Sequence, residues 1–299
     1  MSTELILISS QYPILCYSFI FLIGILLGSF LNLVIYRLPI ILERGFIHEI
    51  QVFLTEHTGK DPSLALPVQP TFNLCFPRSF CPHCKHQLTW WQNIPLFSYI
   101  ILKCKCYYCQ AAISPRYFLI ELLTGIILLI CGLQYGISWQ AFWASIFSLF
   151  LIVLTFIDLD KQLLPNILTL PLLWLGLILS VSEMYISPQT AILGASMGYS
   201  CLWLIYWAFK LVTKKEGMGY GDFKLLAALG AWIGWQILPS ILFLSAILGI
   251  LYALVLRSFK KLEPGKPISF GPFLALAGWI AFMWAKPIEQ FYFKLIGLY

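Results

Sequence analysis

The chain has 299 residues, of which 60% are hydrophobic and only 11% charged, with 11 Trp, 15 Tyr, 23 Phe and a formal net charge of +6. An ordinary soluble domain carries roughly 25% charged residues, so burial in a bilayer comes before any soluble fold. The positive charge does not point to nucleic acid, because the basic residues flank apolar segments and no basic helix interleaved with aromatics is present.

Residues 1–11 read as a short polar start, and no cleavable signal peptide is expected. From Tyr12 to Tyr36 the chain is almost continuously apolar and ends at Arg37-Leu38-Pro39, which predicts a first spanning helix. Gly24, Gly28 and Asn32 follow one another at a spacing of one helical turn. The glycines would allow a neighbouring helix to approach closely, and Asn32 would make the end of that face polar.

Residues 37–116 form the one long polar region, with a loop expected from Thr55 to Pro70, where Pro, Gly and short polar residues gather. Cys81-Pro82-His83-Cys84 and Cys106-Tyr107-Tyr108-Cys109 are two CxxC pairs separated by 21 residues. A tight turn lets thiolates three residues apart converge on one ion, and a returning hairpin closes a tetrahedron that suits zinc. A pair of disulfides is the alternative, and Cys104, His83 and His86 lie near enough to substitute as ligands. Cys75 has no partner at a useful spacing, while Cys16, Cys131 and Cys201 read as small apolar packing residues.

Further apolar segments follow at 117–133, 139–157, 163–181, 189–210, 225–237, 240–256 and 270–286, making eight spans with the first. Leu238-Pro239 leaves open whether the two segments around it form one broken element, and 225–237 is short for a bilayer. If 37–116 is cytoplasmic, alternation places 17 of the 19 Lys and Arg inside or at the inner boundary, leaving only Lys286 and Lys294 outside. The expected fold is therefore an all-α polytopic membrane protein with a small cytoplasmic zinc knuckle. Its expected parts are a first helix over 1–36, the polar region over 37–116 and a membrane core over 117–299.

Two acidic clusters sit at membrane edges under this topology. One is Asp158-Leu159-Asp160-Lys161; the other is Gly219-Tyr220-Gly221-Asp222-Phe223-Lys224. Asp158 and Asp222 would lie at one depth, and a pair of carboxylates is the minimum apparatus for hydrolysing a peptide without a covalent intermediate. One must be ionised to take a proton from water and the other neutral to donate to the scissile carbonyl, a division that close approach enforces. Gly219 and Gly221 would let substrate backbone come close. Asp160, two residues from Asp158, would face another way. Helix capping, ion pairing with Lys161 and Lys224, proton- or ion-coupled transport and a non-enzymatic assembly scaffold are the competing readings. Transport is disfavoured because no inverted repeat is apparent and the carboxylates sit at the edge, not the midplane.

These motifs together resemble the bacterial prepilin leader peptidase and N-methyltransferase family of type IV pilus and type II secretion systems. Gly219-Tyr220-Gly221-Asp222 is similar to its GxGD signature, and Asp158, before Pro165, is similar to its other catalytic aspartate. Gly28-Ser29-Phe30-Leu31-Asn32, Tyr36-Arg37-Leu38-Pro39 and Glu43-Arg44 resemble its first helix and exit. Phe72-Asn73-Leu74, the four knuckle cysteines, and Ser114-Pro115-Arg116-Tyr117 with Glu121 extend the resemblance over nearly the full length. It implies catalytic Asp158 and Asp222, with Gly219, Gly221 and Lys224 in support, and structural zinc on Cys81, Cys84, Cys106 and Cys109. It further implies an inner-membrane location and prepilin or pseudopilin substrates with a basic leader, Gly before the cut and usually Phe after it. Methyl transfer from S-adenosylmethionine to the new amino terminus is implied by the resemblance alone. The chain has no glycine-rich strand-to-helix signature for that cofactor. Gly28, Asn32, Glu43 and Arg78 are its candidate contacts.

Overall fold

A computed structural model of the chain describes residues 11–58, 72–215, 217–259 and 268–284. The described residues form an all-helical protein without a sheet, in which two isolated bridges, Phe80 with Gln87 and Lys105 with Ala112, are the β pairings. Five helices are long and apolar enough to cross a membrane, and shorter apolar ones accompany them. The chain divides into two compact units, residues 2–133 and residues 134–299.

In the amino-terminal unit, α1 runs from Pro13 to Thr58. It therefore does not end at Arg37-Leu38-Pro39 as the sequence suggests. Pro39 sits inside the helix, where its ring forgoes one backbone hydrogen bond without ending the element. At 1.5 Å per residue, α1 is about 69 Å long, more than twice the ~30 Å hydrocarbon layer. Its second half, with exposed Glu43, Arg44, His48, Glu49 and Glu56, has the polarity of a segment outside lipid. Residues 55–58 of the expected loop continue this helix, and the remainder lies outside the described residues. A short α2 (Phe97–Ile101) lies between the two CxxC pairs, and α3 (Pro115–Tyr135) follows the second.

α1 and α3 pack along the face that Gly24, Gly28 and Asn32 mark. A Cβ at Gly24 would lie 2.7 Å from the Gly125 Cα, and one at Gly28 would lie 2.7 Å from the Glu121 Cα. One turn further, Asn32 Nδ2 donates to the Tyr117 carbonyl at 3.1 Å. Each pairing advances four residues along both helices in opposite directions, so small residues and one amide zip the two together. Such close backbone approach substitutes for the hydrophobic driving force that lipid does not provide.

The second unit contains α4 (Trp139–Lys161), α5 (Asn166–Val181), α6 (Pro188–Thr213), α7 (Tyr220–Ile233), α8 (Leu238–Ser258) and α9 (Gly271–Met283). Ser138 caps α4 by accepting from Ala141 N at 3.1 Å, and Ser187 caps α6 by accepting from Thr190 N at 3.4 Å. α7 is the helix around which the unit is built, with every residue from Leu225 to Ile233 buried. Fourteen residues give it a length of about 21 Å, short of the hydrocarbon thickness. Protein on all sides removes the need to span lipid, which resolves the short segment expected at 225–237. Gly234, at φ 97°, ends α7, and Pro239 begins α8, so the segments flanking Leu238-Pro239 are separate helices.

Glycines again set the distances. A Cβ on either Gly194 or Gly230 would collide with the other's carbonyl oxygen, and one on Gly198 would lie 2.6 Å from the Leu226 oxygen. α6 and α7 thus touch backbone to backbone over two turns. Trp232 fills the opposite side, donating from Nε1 to the Leu172 carbonyl at 2.8 Å while a Cβ on Gly176 would meet its ring.

Candidate active site and metal centre

Asp158 occupies the last turn of α4, and Gln162 closes that helix in the left-handed conformation by donating its N–H to the Asp158 carbonyl at 2.9 Å. Asp222 lies in the first turn of α7, where helix N–H groups favour an anion. Both carboxylates are buried, at 5% and 7% exposure, in a unit otherwise packed with Leu, Ile and Phe. Asp160 is exposed, as expected for the other side of α4.

Leu164 links the surroundings of the two aspartates. A Cβ at Gly221 would lie 2.7 Å from its Cβ, while one at Gly271 would meet its Cδ1 and collide with Asp158 Oδ2. Gly219 lies on the other carboxylate, where an added Cβ would be 3.9 Å from Asp222 Oδ2. Leu164 thus stands beside Gly221, one residue before Asp222, and beside Gly271, which adjoins Asp158. Lys224 Nζ donates to Asn166 Oδ1 at 2.7 Å, tying the start of α7 to the start of α5.

Sequence reasoning missed Ser269 and Gly271. Ser269 Oγ donates to Asp158 Oδ2 just before α9, and Gly271 leaves room for that carboxylate. The available signal was a serine and a Gly-Pro step opening an apolar segment, too common a pattern to single out.

In the amino-terminal unit, the ligand atoms of Cys81, Cys84, Cys106 and Cys109 all lie within 4.8 Å of one another. A tetrahedron with Zn–S bonds of ~2.3 Å has edges of about 3.8 Å. The Cys81 and Cys109 sulfurs are 3.8 Å apart. Each CxxC sits in the same turn. Cys81 N donates to His86 O and Lys85 N to Cys81 O; 25 positions later Cys106 N donates to Ala111 O and Gln110 N to Cys106 O. Lys85 and Gln110 end these turns at φ 60° and 57°. Among the described residues Cys81, Cys84, Cys106 and Cys109 form no disulfide. Cys104, His83 and His86 stand outside the group, with the His86 ring tilted against Tyr108 at 3.7 Å between centroids. The N–H of Cys84 chiefly lowers the Cys81 thiol to about 7, against burial, while Cys109, despite the Ala111 N–H, is pushed up to about 11 by burial and its neighbouring thiols. The Cys81 thiolate thus forms readily while Cys109 retains its proton until a cation displaces it.

The four candidate cofactor contacts differ in their surroundings. Gly28 is consumed by helix packing, Asn32 is buried beside α3, and Glu43 and Arg78 are exposed. Arg37, at the exit of the first apolar run, is 5% exposed and donates to the Asn73, Leu74 and Pro77 carbonyls at 2.9, 3.2 and 2.6 Å. It fastens the segment that leads into the first CxxC.

Residues 22–135 match the model of the Bacterial Peptidase A24 N-terminal domain, and residues 145–254 match that of the Type IV leader peptidase family. The prepilin leader peptidase/N-methyltransferase of Aeromonas salmonicida is 47% identical over 294 residues, covering 98% of this chain and 99% of that protein. Those of Pseudomonas aeruginosa and Neisseria gonorrhoeae are 47% and 49% identical, covering 92% and 87% of this chain and 93% and 87% of their own lengths. No solved structure matches the chain. Similarity of this extent favours leader cleavage and methylation over ion-coupled transport. The chain belongs to the prepilin leader peptidase/N-methyltransferase family, an enzyme family of the bacterial inner membrane.

Proposed function

We propose that Asp158 and Asp222 hydrolyse the leader bond of type IV prepilins or type II secretion pseudopilins, with one ionised carboxylate activating water and one neutral carboxyl polarising the scissile carbonyl. The observation that carries this reading is the burial of both carboxylates in the surroundings shared through Leu164, Gly221 and Gly271. Ser269 holds Asp158 in orientation through its hydrogen bond, and Lys224 holds the glycine turn through Asn166. The missing side chains of Gly219 and Gly221 leave the substrate backbone a path to Asp222.

Eight spans and a cytoplasmic polar region put the carboxylates at the inner face of the membrane, a placement supported by the distribution of Lys and Arg in the sequence. Of those residues, Lys60, Lys260, Lys261, Lys266, Lys286 and Lys294 lie outside the described set. A prepilin suits the location: its apolar helix stays in the bilayer, its basic leader in the cytoplasm, and its Gly-Phe junction at the edge. The chain then divides by task into residues 1–36 as membrane anchor, 37–116 as cytoplasmic region and 117–299 as peptidase core.

Zinc is the ion of the four-cysteine cluster, since four thiolates at tetrahedral spacing suit it and leave no open coordination position. Its role is to hold the two knuckle turns together. S-adenosylmethionine supplies the electrophilic methyl group for the amino terminus that cleavage creates.

Leader removal measured in membranes tests the peptidase assignment. Asp158→Asn and Asp222→Asn should each lower the rate by about 10³-fold or more, as loss of an acid–base group does. Retention of cleavage by either variant contradicts the assignment. The unmutated enzyme should show a bell-shaped pH–rate profile, since one carboxyl acts ionised and the other protonated.

A further inference from the structure

The amino-terminal unit holds a partly open cavity of about 290 Å³, near the lower end of the ~300–1,000 Å³ range of small-molecule sites. Asn32 and Tyr36 of α1, Phe80 of the knuckle, Gln92 and Tyr99 of the connecting segment, and Glu121 of α3 contribute to its wall.

Among the described residues, one of these side chains has a buried donor without a hydrogen bond, and another has a buried carboxyl without a countercharge. Gln92 is 7% exposed, and its Oε1 accepts from Thr89 N at 3.0 Å. That contact fixes which end of the amide is oxygen, because only oxygen accepts from an N–H. Its Nε2 is, among the described residues, the buried side-chain polar atom left without a hydrogen bond. A buried donor in this state calls for an acceptor that is not protein.

Glu121 is 8% exposed inside an apolar helix, with Oε2 accepting from Leu96 N at 2.9 Å. Ser29 and Asn32 turn toward it, but no Lys or Arg among the described residues pairs with it. Arg37 lines the same cavity but spends its N–H groups on three backbone carbonyls. A carboxylate buried in a membrane helix without a cation marks a place where a cation binds. The surrounding Tyr36, Phe80 and Tyr99 offer aromatic faces to a flat ring.

We propose that this cavity is the S-adenosylmethionine site, with Glu121 facing the cationic methionyl sulfonium end, the Gln92 amide donating to the adenosyl part and the aromatic wall flanking the adenine. The assignment rests on the methyl-transfer reading above and moves the cofactor contacts from Gly28, Glu43 and Arg78 to Gln92 and Glu121, keeping Asn32. The knuckle and the cavity share Cys81 and Cys106 in their walls, so the metal turns shape the site while their sulfurs serve the ion.

The test uses purified full-length protein, without pilin, and S-adenosylmethionine tritiated at the methyl group. Ultraviolet irradiation of the unmutated protein should place label within residues 79–121, whereas label confined elsewhere overturns the site. Equilibrium binding should weaken by about tenfold or more in both Gln92→Leu and Glu121→Gln, a change of ~1.4 kcal/mol. Unchanged affinity in both variants overturns the site, and a raised KM for the pilin alone reassigns the cavity to the acceptor amine. Gel-filtration profiles report whether each variant is folded; if neither is, the photolabel on unmutated protein decides. Protein that removes leaders but neither binds the compound nor methylates a pilin overturns the methyl-transfer reading along with the site. Methylation accompanied by label outside 79–121 overturns the site alone.

Discussion

The two units solve opposite problems with the same chain. Residues 134–284 bring together carboxylates 64 positions apart by packing helices at backbone distance, so their site depends on Gly194, Gly198, Gly221, Gly230 and Gly271 as much as on the aspartates. Residues 72–113 have little apolar packing and build their metal centre from turns in which thiols three residues apart already converge. A site assembled by long-range packing is sensitive to volume far from the chemistry, whereas one assembled by local turns is sensitive to the ion that joins them.

Metal removal should separate the units most sharply. Stripping the protein with a chelator, or Cys81→Ser, should abolish methylation of a processed pilin while leader removal persists, checked by mass analysis of the product amino terminus. Metal loss should also become easier as pH falls, because protons compete for the thiolates. Simultaneous loss of both activities would mean that the units do not fold separately.

Next in size is Gly230→Leu. Its side chain would have to part α6 from α7, where overpacking costs about 1–3 kcal/mol in an adaptable core and more against backbone. Leader removal should fall by ~100-fold with a lowered Tm, and methylation of a pre-cleaved pilin should stay near the unmutated rate. Ser269→Ala should reduce cleavage by about tenfold, the kinetic equivalent of one hydrogen bond to an ionised group, with little change in Tm. Asp160→Asn should change it by less than about twofold, because that side chain is exposed on the other face of α4. A large loss in this last variant would exchange the roles of the two acidic positions.

Much of this was legible in local spacing. The GxGD turn, the paired CxxC motifs, and the Gly24, Gly28, Asn32 face are patterns of three or four residues whose geometry is fixed by one turn of helix or loop. The apolar runs were equally readable, because a bilayer demands their length. The local pattern misleads at α1, where Arg37-Leu38-Pro39 suggests a stop; a single proline removes one hydrogen bond, and the remaining turns of a long helix absorb the loss.

The sequence by itself determined which residue types were present for hydrolysis and metal binding, the approximate positions of the apolar helices and the family. Only the tertiary structure decided that α7 is enclosed by its neighbours, that Ser269 and Gly271 complete the surroundings of Asp158, and that Arg37 is a clamp instead of a basic flank. It also decided that Gln92 and Glu121 face one cavity. The physical reason is range: a turn or cap is set by neighbours within about four residues, whereas burial and an unmet hydrogen bond exist only once distant segments have excluded water together.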